Sequence, residues 1–206
     1  MYHPFWRIHR NKTFAVCFST LAVFSFIVAY LIYGIGFGFQ YLVASPFTII
    51  NLVLTLIILV MLLITNIQND NRAFAAIMML FFLMVWDMII SWLPGGANLG
   101  SAFGGNPGAM TLAIIMLVAA AGAIAVGVVA FIFLFRYRVG RASFEKTMLF
   151  SYILVGCFSL EQILEIVLVV MLIGFEPYSF VYYLLSNLSL VFAGVACLFT
   201  LRRLRR

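Results

Sequence analysis

Charge-free stretches set the architecture before any single residue does. Between Lys12 and Asp70 the chain carries no charged side chain. Between Arg72 and Arg136 it carries only Asp87, and between Lys146 and Arg202 only Glu161, Glu165 and Glu176. One membrane crossing needs about 20 apolar residues, so each block is too long for one helix and suits two joined by a turn. The apolar runs do not alternate with polar residues as the strands of a membrane barrel do. Three charge-poor blocks therefore predict three helical hairpins.

The turns fall where glycine, proline and polar residues cluster. The predicted spans cover about residues 13–39, 46–66, 73–93, 109–135, 147–174 and 180–201. Pro46 suits a first helical turn, where its missing N–H is not needed. The polar run Asn66 to Arg72 reads as the loop between spans two and three, and the uncharged, glycine-rich stretch Pro94 to Gly108 as the longest connection. Residues 1–206 read as a single transmembrane domain with no soluble domain beside it. No internal repeat stands out, and Phe14 to Phe39 is too long for the core of a cleavable signal.

Composition agrees: 66% of the chain is hydrophobic and 9% charged, against about 25% charged in soluble domains. A net charge of +6 would in a soluble protein suggest nucleic acid; in a membrane chain it orients the spans. Every Lys and Arg lies before span one, between spans two and three, between four and five, or after span six. Six spans put them all on one face, which the positive-inside rule makes cytoplasmic. The expected fold is an all-α, polytopic six-helix bundle in the plasma membrane or its equivalent, both termini cytoplasmic, without a nucleic-acid partner. The C-terminal Arg202, Arg203, Arg205 and Arg206 are expected to meet anionic lipid, and the aromatic and basic N-terminal stretch around Trp6 to lie on the same headgroups.

Counting at 1.5 Å per residue gives depth. Asp87 falls about 9 Å below the outer interface, Asn51 about 8 Å, Asn187 about 10 Å, Glu165 about 13 Å and Glu161 about 19 Å. Four helices thus bring polar groups into the outer half, and no Lys, Arg or His falls in any span. Glu161 and Glu165 are one turn apart on one helical face, where burial and mutual repulsion favour protonated acid over carboxylate. An ionised acid facing lipid costs several kcal/mol, so these side chains should face the bundle interior or a wet cavity. Asp87, Glu161, Glu165, Asn51 and Asn187 are the candidate pathway or pocket for a proton, a metal cation or a cationic solute. The competing reading makes them hydrogen-bonded struts, although such bonds average only about 0.6 kcal/mol in membranes.

Ala119, Ala123, Gly127 and Ala130 form a small-residue stripe on span four, suited to close helix packing inside the bundle or against a second membrane subunit. Cys17, Cys157 and Cys197 are odd in number and lie in apolar runs; they read as small core residues, with lipidation of Cys17 or Cys197 as the lesser alternative. No cofactor is indicated. Without histidine in a span, bis-His haem, His-containing protease motifs and a Ser–His couple are excluded. A carboxylate enzyme built on Asp87 with Glu161 or Glu165 is the weakest expectation. Two functions remain: a small-solute, cation or proton translocator or the membrane-embedded binding component of an uptake system, and, second, a non-catalytic subunit of a larger membrane complex.

Overall fold

The computed structural model describes residues 4–40, 46–68, 78, 81–83, 85–86, 107–173 and 177–203. Five helices have both ends among them: α1 (Pro4–Phe37), α2 (Pro46–Gln68), α3 (Pro107–Arg138), α4 (Phe144–Ile173) and α5 (Pro177–Arg203). The described residues from 78 to 86 are helical as well, and none of the described residues is in a strand. Four of the five helices begin at proline, whose fixed φ fits the first turn. Ser143 caps α4, its hydroxyl accepting from the Lys146 N–H at 3.5 Å, and Glu145 stands in that first turn, where an acid meets the positive end of the helix dipole.

The helices have 23 to 34 residues, or about 35–51 Å, and outrun a hydrocarbon core of about 30 Å. Among the described residues, Asn11–Phe37, Ile49–Gln68, Phe144–Val167 and Pro177–Arg203 are long and apolar enough to cross a membrane. α3 is uncharged from Pro107 to Phe135. Large apolar side chains such as Phe24, Ile35, Ile57, Val118 and Ile163 stand exposed. A continuous surface of that kind is untenable in water and is what lipid requires. The protein is an integral membrane protein built of helices.

α5 lies at the centre. It packs along α1, against α4, and at its edge against α2, while α2 also packs on α1 and α3 on α4. Half of its apolar window is buried, against a third for α2 and α4, and its one large exposed apolar side chain among the described residues is Tyr178. The α1–α5 seam is made of small residues: Ala15, Ser19, Ala22 and Ala29 face Ala193, Ala196, Cys197 and Thr200, all fully buried. Small side chains let two backbones approach where no hydrophobic effect pulls helices together. At the far end of this seam a Cβ on Gly36 would lie 2.6 Å from Tyr178 Cβ, so only glycine admits that contact.

Two expectations change. Asn66, read as the start of a loop, is helical and fully buried, because α2 runs on to Gln68 between α1 and α5 rather than ending where the polar residues begin. Cys197 is in the core as expected, whereas Cys17 is exposed on the outside of α1; full burial in the seam also removes Cys197 from reach of lipidation. Residues 94–106 of the glycine-rich connection lie outside the described residues.

Candidate functional site

Two polar regions lie inside the bundle. The first is at the end where α1 begins and α2 and α5 finish. Asn66 on α2 donates from Nδ2 to Ser19 Oγ on α1 at 2.8 Å. Its Oδ1 accepts from the Thr200 hydroxyl at 2.7 Å and from an Arg203 Nη1 at 3.3 Å, both on α5. Ser19 passes its own proton to the Ala15 carbonyl at 2.7 Å. Ser19, Asn66 and Thr200 are wholly buried, so one amide ties three helices at a point shielded from water. Beside it the Arg202 guanidinium lies 5.6 Å from the centres of the Tyr152 and Phe199 rings and donates from Nε to the Tyr152 hydroxyl at 2.7 Å. Sequence reasoning missed this clasp. The 4-3-4-3 spacing of Ala15, Ser19, Ala22, Phe26 and Ala29 was the signal that could have marked its α1 face.

The second region lies towards the opposite end, between α4 and α5. Glu161 and Gln162 on α4 and Asn187 on α5 are all at least nine-tenths buried, and Glu165 is half-buried. Along antiparallel α4 and α5, Arg202 meets Tyr152 near one end, and Glu161, Gln162 and Asn187 all fall in the opposite half of the pair. Along the helices Glu161 is about 18 Å from the end of α4 and Asn187 about 15 Å from the start of α5. The Asn187 Nδ2 group is buried and has no hydrogen-bond partner among the described residues. An amide donor left so costs about 1–3 kcal/mol.

Above this tier, about 6–10 Å from the helix ends, four tyrosines meet. The Tyr182 ring stands edge-on to Tyr30 at 5.4 Å, tilted against Tyr33 at 4.9 Å, and edge-on to Tyr183 at 5.1 Å. Tyrosines near span ends ordinarily read as an interfacial belt. Here the α1–α5 seam turns them inward, next to Glu165. Faces of aromatic rings beside a carboxylate attract cations.

No protein family, curated relative or solved structure matches the chain. The site is therefore read from its own chemistry.

The remaining sequence candidates fall apart in space. Asn51 on α2 is half-buried, and its Oδ1 accepts from the Thr55 hydroxyl at 3.3 Å within its own helix; the packing partners of α2 are α1 and the edge of α5, and those of α4 are α3 and α5. Asp87 lies outside the described residues. Its neighbour Trp86 has a buried Nε1 without a hydrogen-bond partner among those described. On α3, a Cβ at Gly127 would touch Val85 at 3.2 Å and Leu154 at 3.4 Å, and Ala130 is fully buried; the side chains of Ala119 and Ala123 lie outside the described set. Among the described residues no three His, Cys, Asp or Glu side chains gather.

Proposed function

We propose that the chain is a six-span membrane protein with both termini cytoplasmic, and that it binds or translocates a proton or a small cationic solute through the α4–α5 site. It acts as a translocator itself or as the membrane-embedded binding component of an uptake system. Glu161 and Glu165 supply the negative or proton-carrying groups, and Asn187 with Gln162 the oriented amides. The tyrosines Tyr30, Tyr33, Tyr182 and Tyr183 form the outer lining. Asp87 and Asn51 belong to the same reading by their depth alone. The observation that carries it is the buried Asn187 Nδ2, a donor in the same half of the α4–α5 pair as the buried Glu161 and Gln162, which a ligand acceptor or a bound water would satisfy.

The sidedness rests on where the cations fall: Lys12, Arg136, Arg138, Arg141, Lys146, Arg202 and Arg203 all lie at the end of the bundle opposite this site, which supports an outward-facing site. Contact of Arg202, Arg203, Arg205 and Arg206 with anionic lipid is part of the reading; the hydrogen bonds of Arg203 to Asn66 make it the least available.

The test is flux in proteoliposomes carrying the full chain, with a proton-sensitive dye inside and a panel of small organic cations outside. Glu161→Gln with Glu165→Gln should abolish flux or binding while helix content stays unchanged. Flux equal to that of the parent protein would refute the reading.

A second reading, a subunit of a larger membrane complex, draws on α3. That helix packs on α4 and leaves Ile114, Ile115, Leu117 and Val118 exposed beside Gly122, whose surroundings are open. Purification from the native membrane in mild detergent separates the two, since the complex reading requires a stoichiometric partner.

A further inference from the structure

We propose that the groove at the α3–α4 turn binds an anionic phospholipid of the leaflet at the basic end, with its phosphate between Arg136 and Arg141 and its acyl chain along α3. The argument begins with the backbone. α3 is closed by Gly140, whose φ of +74° is left-handed. The Gly140 N–H donates to the Tyr137 carbonyl at 2.9 Å and the Arg141 N–H to the Arg136 carbonyl at 2.8 Å. These are the paired bonds of a Schellman cap, which folds the residue after the glycine back onto the last helical turn, ordinarily to join two apolar side chains. Here the two positions so joined are both arginine.

Those arginines share one groove of about 450 Å³ with Phe131, Ile132, Phe135 and Val139. Like charges brought together repel, and neither guanidinium has a hydrogen-bond or ion-pair partner among the described residues. Glu145, the single acid of the turn, is exposed and pairs with neither. Nearby cations are committed: Arg202 to Tyr152, Arg203 to Asn66. The apolar wall runs from Arg136 to Phe131, about 7 Å towards the bundle centre. That is the disposition of a phosphate above the first carbons of an acyl chain. Guanidinium forks match phosphate oxygens two by two, and the cytoplasmic leaflet is the anionic one. Charge complementarity and an apolar wall of the right sense thus commit the groove to a lipid rather than to a soluble anion.

Native mass spectrometry of the full chain in detergent, titrated with phosphatidylglycerol or phosphatidylcholine, tests this. The parent should retain phosphatidylglycerol in preference to phosphatidylcholine. Arg136→Gln with Arg141→Gln should weaken phosphatidylglycerol binding about tenfold, the scale of one charge-assisted contact. Ile132→Asn, on the exposed wall, should weaken it less, and Lys12→Gln, a cation of the same end on α1, should leave it within about twofold. Circular dichroism confirms that each variant is folded; Arg136→Lys with Arg141→Lys, which keeps both charges and should retain most of the preference, carries the test should the glutamine pair fail to fold. Three results overturn the proposal: an unchanged preference in the double variant, an equal loss in Lys12→Gln, which would mean diffuse attraction to the whole basic end, or full competition by inorganic phosphate, which would mean the anion alone is bound. None of these depends on flux through the α4–α5 site.

Discussion

The clasp around Asn66 and the tier around Asn187 start from the same residue type, buried to the same degree, on neighbouring helices. They end in opposite states. Both the amide nitrogen and the amide oxygen of Asn66 are used, the oxygen twice. The Asn187 nitrogen has no partner among the described residues. In hydrocarbon a polar group without a partner is costly; on the reading proposed above, a ligand or a bound water satisfies the Asn187 amide, whereas the Asn66 amide holds three helices together.

The largest expected effect breaks the clasp. Asn66→Leu removes three hydrogen bonds and leaves Ser19, Thr200 and Arg203 without their shared partner. Hydrogen bonds between membrane helices average about 0.6 kcal/mol each, so unfolding in mixed micelles, followed by circular dichroism, should show a loss of about 2 kcal/mol for the three. Ligand binding or flux at the other site, measured on the folded fraction, should be unchanged. A large loss of flux with full stability would invert the comparison.

Asn187→Leu should do the reverse. Replacing an unsatisfied buried amide by an apolar side chain of similar size is neutral or stabilising, so stability should hold or rise by up to about 1 kcal/mol while flux is lost. The same micelle titration and the proteoliposome assay read both quantities. Destabilisation equal to that of Asn66→Leu would show that Asn187 is structural glue, and the distinction between the two regions would collapse.

The sequence carried the class of the molecule further than its sites. Long charge-free runs interrupted by basic turns are a coarse signal, and the described helices follow them to within three residues at every end except the start of α1, which begins nine residues earlier, at Pro4. Asn66 was misjudged because it opens a polar run, and a linear reading cannot see that the last turn of α2 is enclosed by α1 and α5. The α1–α5 seam was written in small residues, but phenylalanines interleave with them, and the plainer stripe on α3 drew attention first. Glu161, Glu165 and Asn187 were legible because acids and amides are conspicuous in apolar runs. The inward turn of Tyr30, Tyr33, Tyr182 and Tyr183 was not, since it depends on which face of α1 meets α5.

Thr200→Val tests whether the clasp is cooperative. It deletes one hydroxyl at constant volume, and single hydrogen bonds between membrane helices average about 0.6 kcal/mol. The Thr200 hydroxyl lies 2.8 Å from the Ala196 carbonyl as well as 2.7 Å from Asn66 Oδ1, so its one proton is divided between them and the loss should not exceed that average.

Arg203→Gln should cost least. Its bonds to Asn66 are long, 3.3 and 3.4 Å, and its side chain is only part-buried, so a change within about 0.5 kcal/mol is expected in the same micelle titration. The double variant Thr200→Val with Arg203→Gln then decides how the clasp works. If its loss equals the sum of the single losses, Asn66 Oδ1 accepts from two independent donors and the clasp is a set of separate bonds. A loss well above the sum means each donor compensates for the other, so the amide oxygen remains satisfied until both are gone. That second outcome is the one expected of a structural site: it tolerates the loss of one partner.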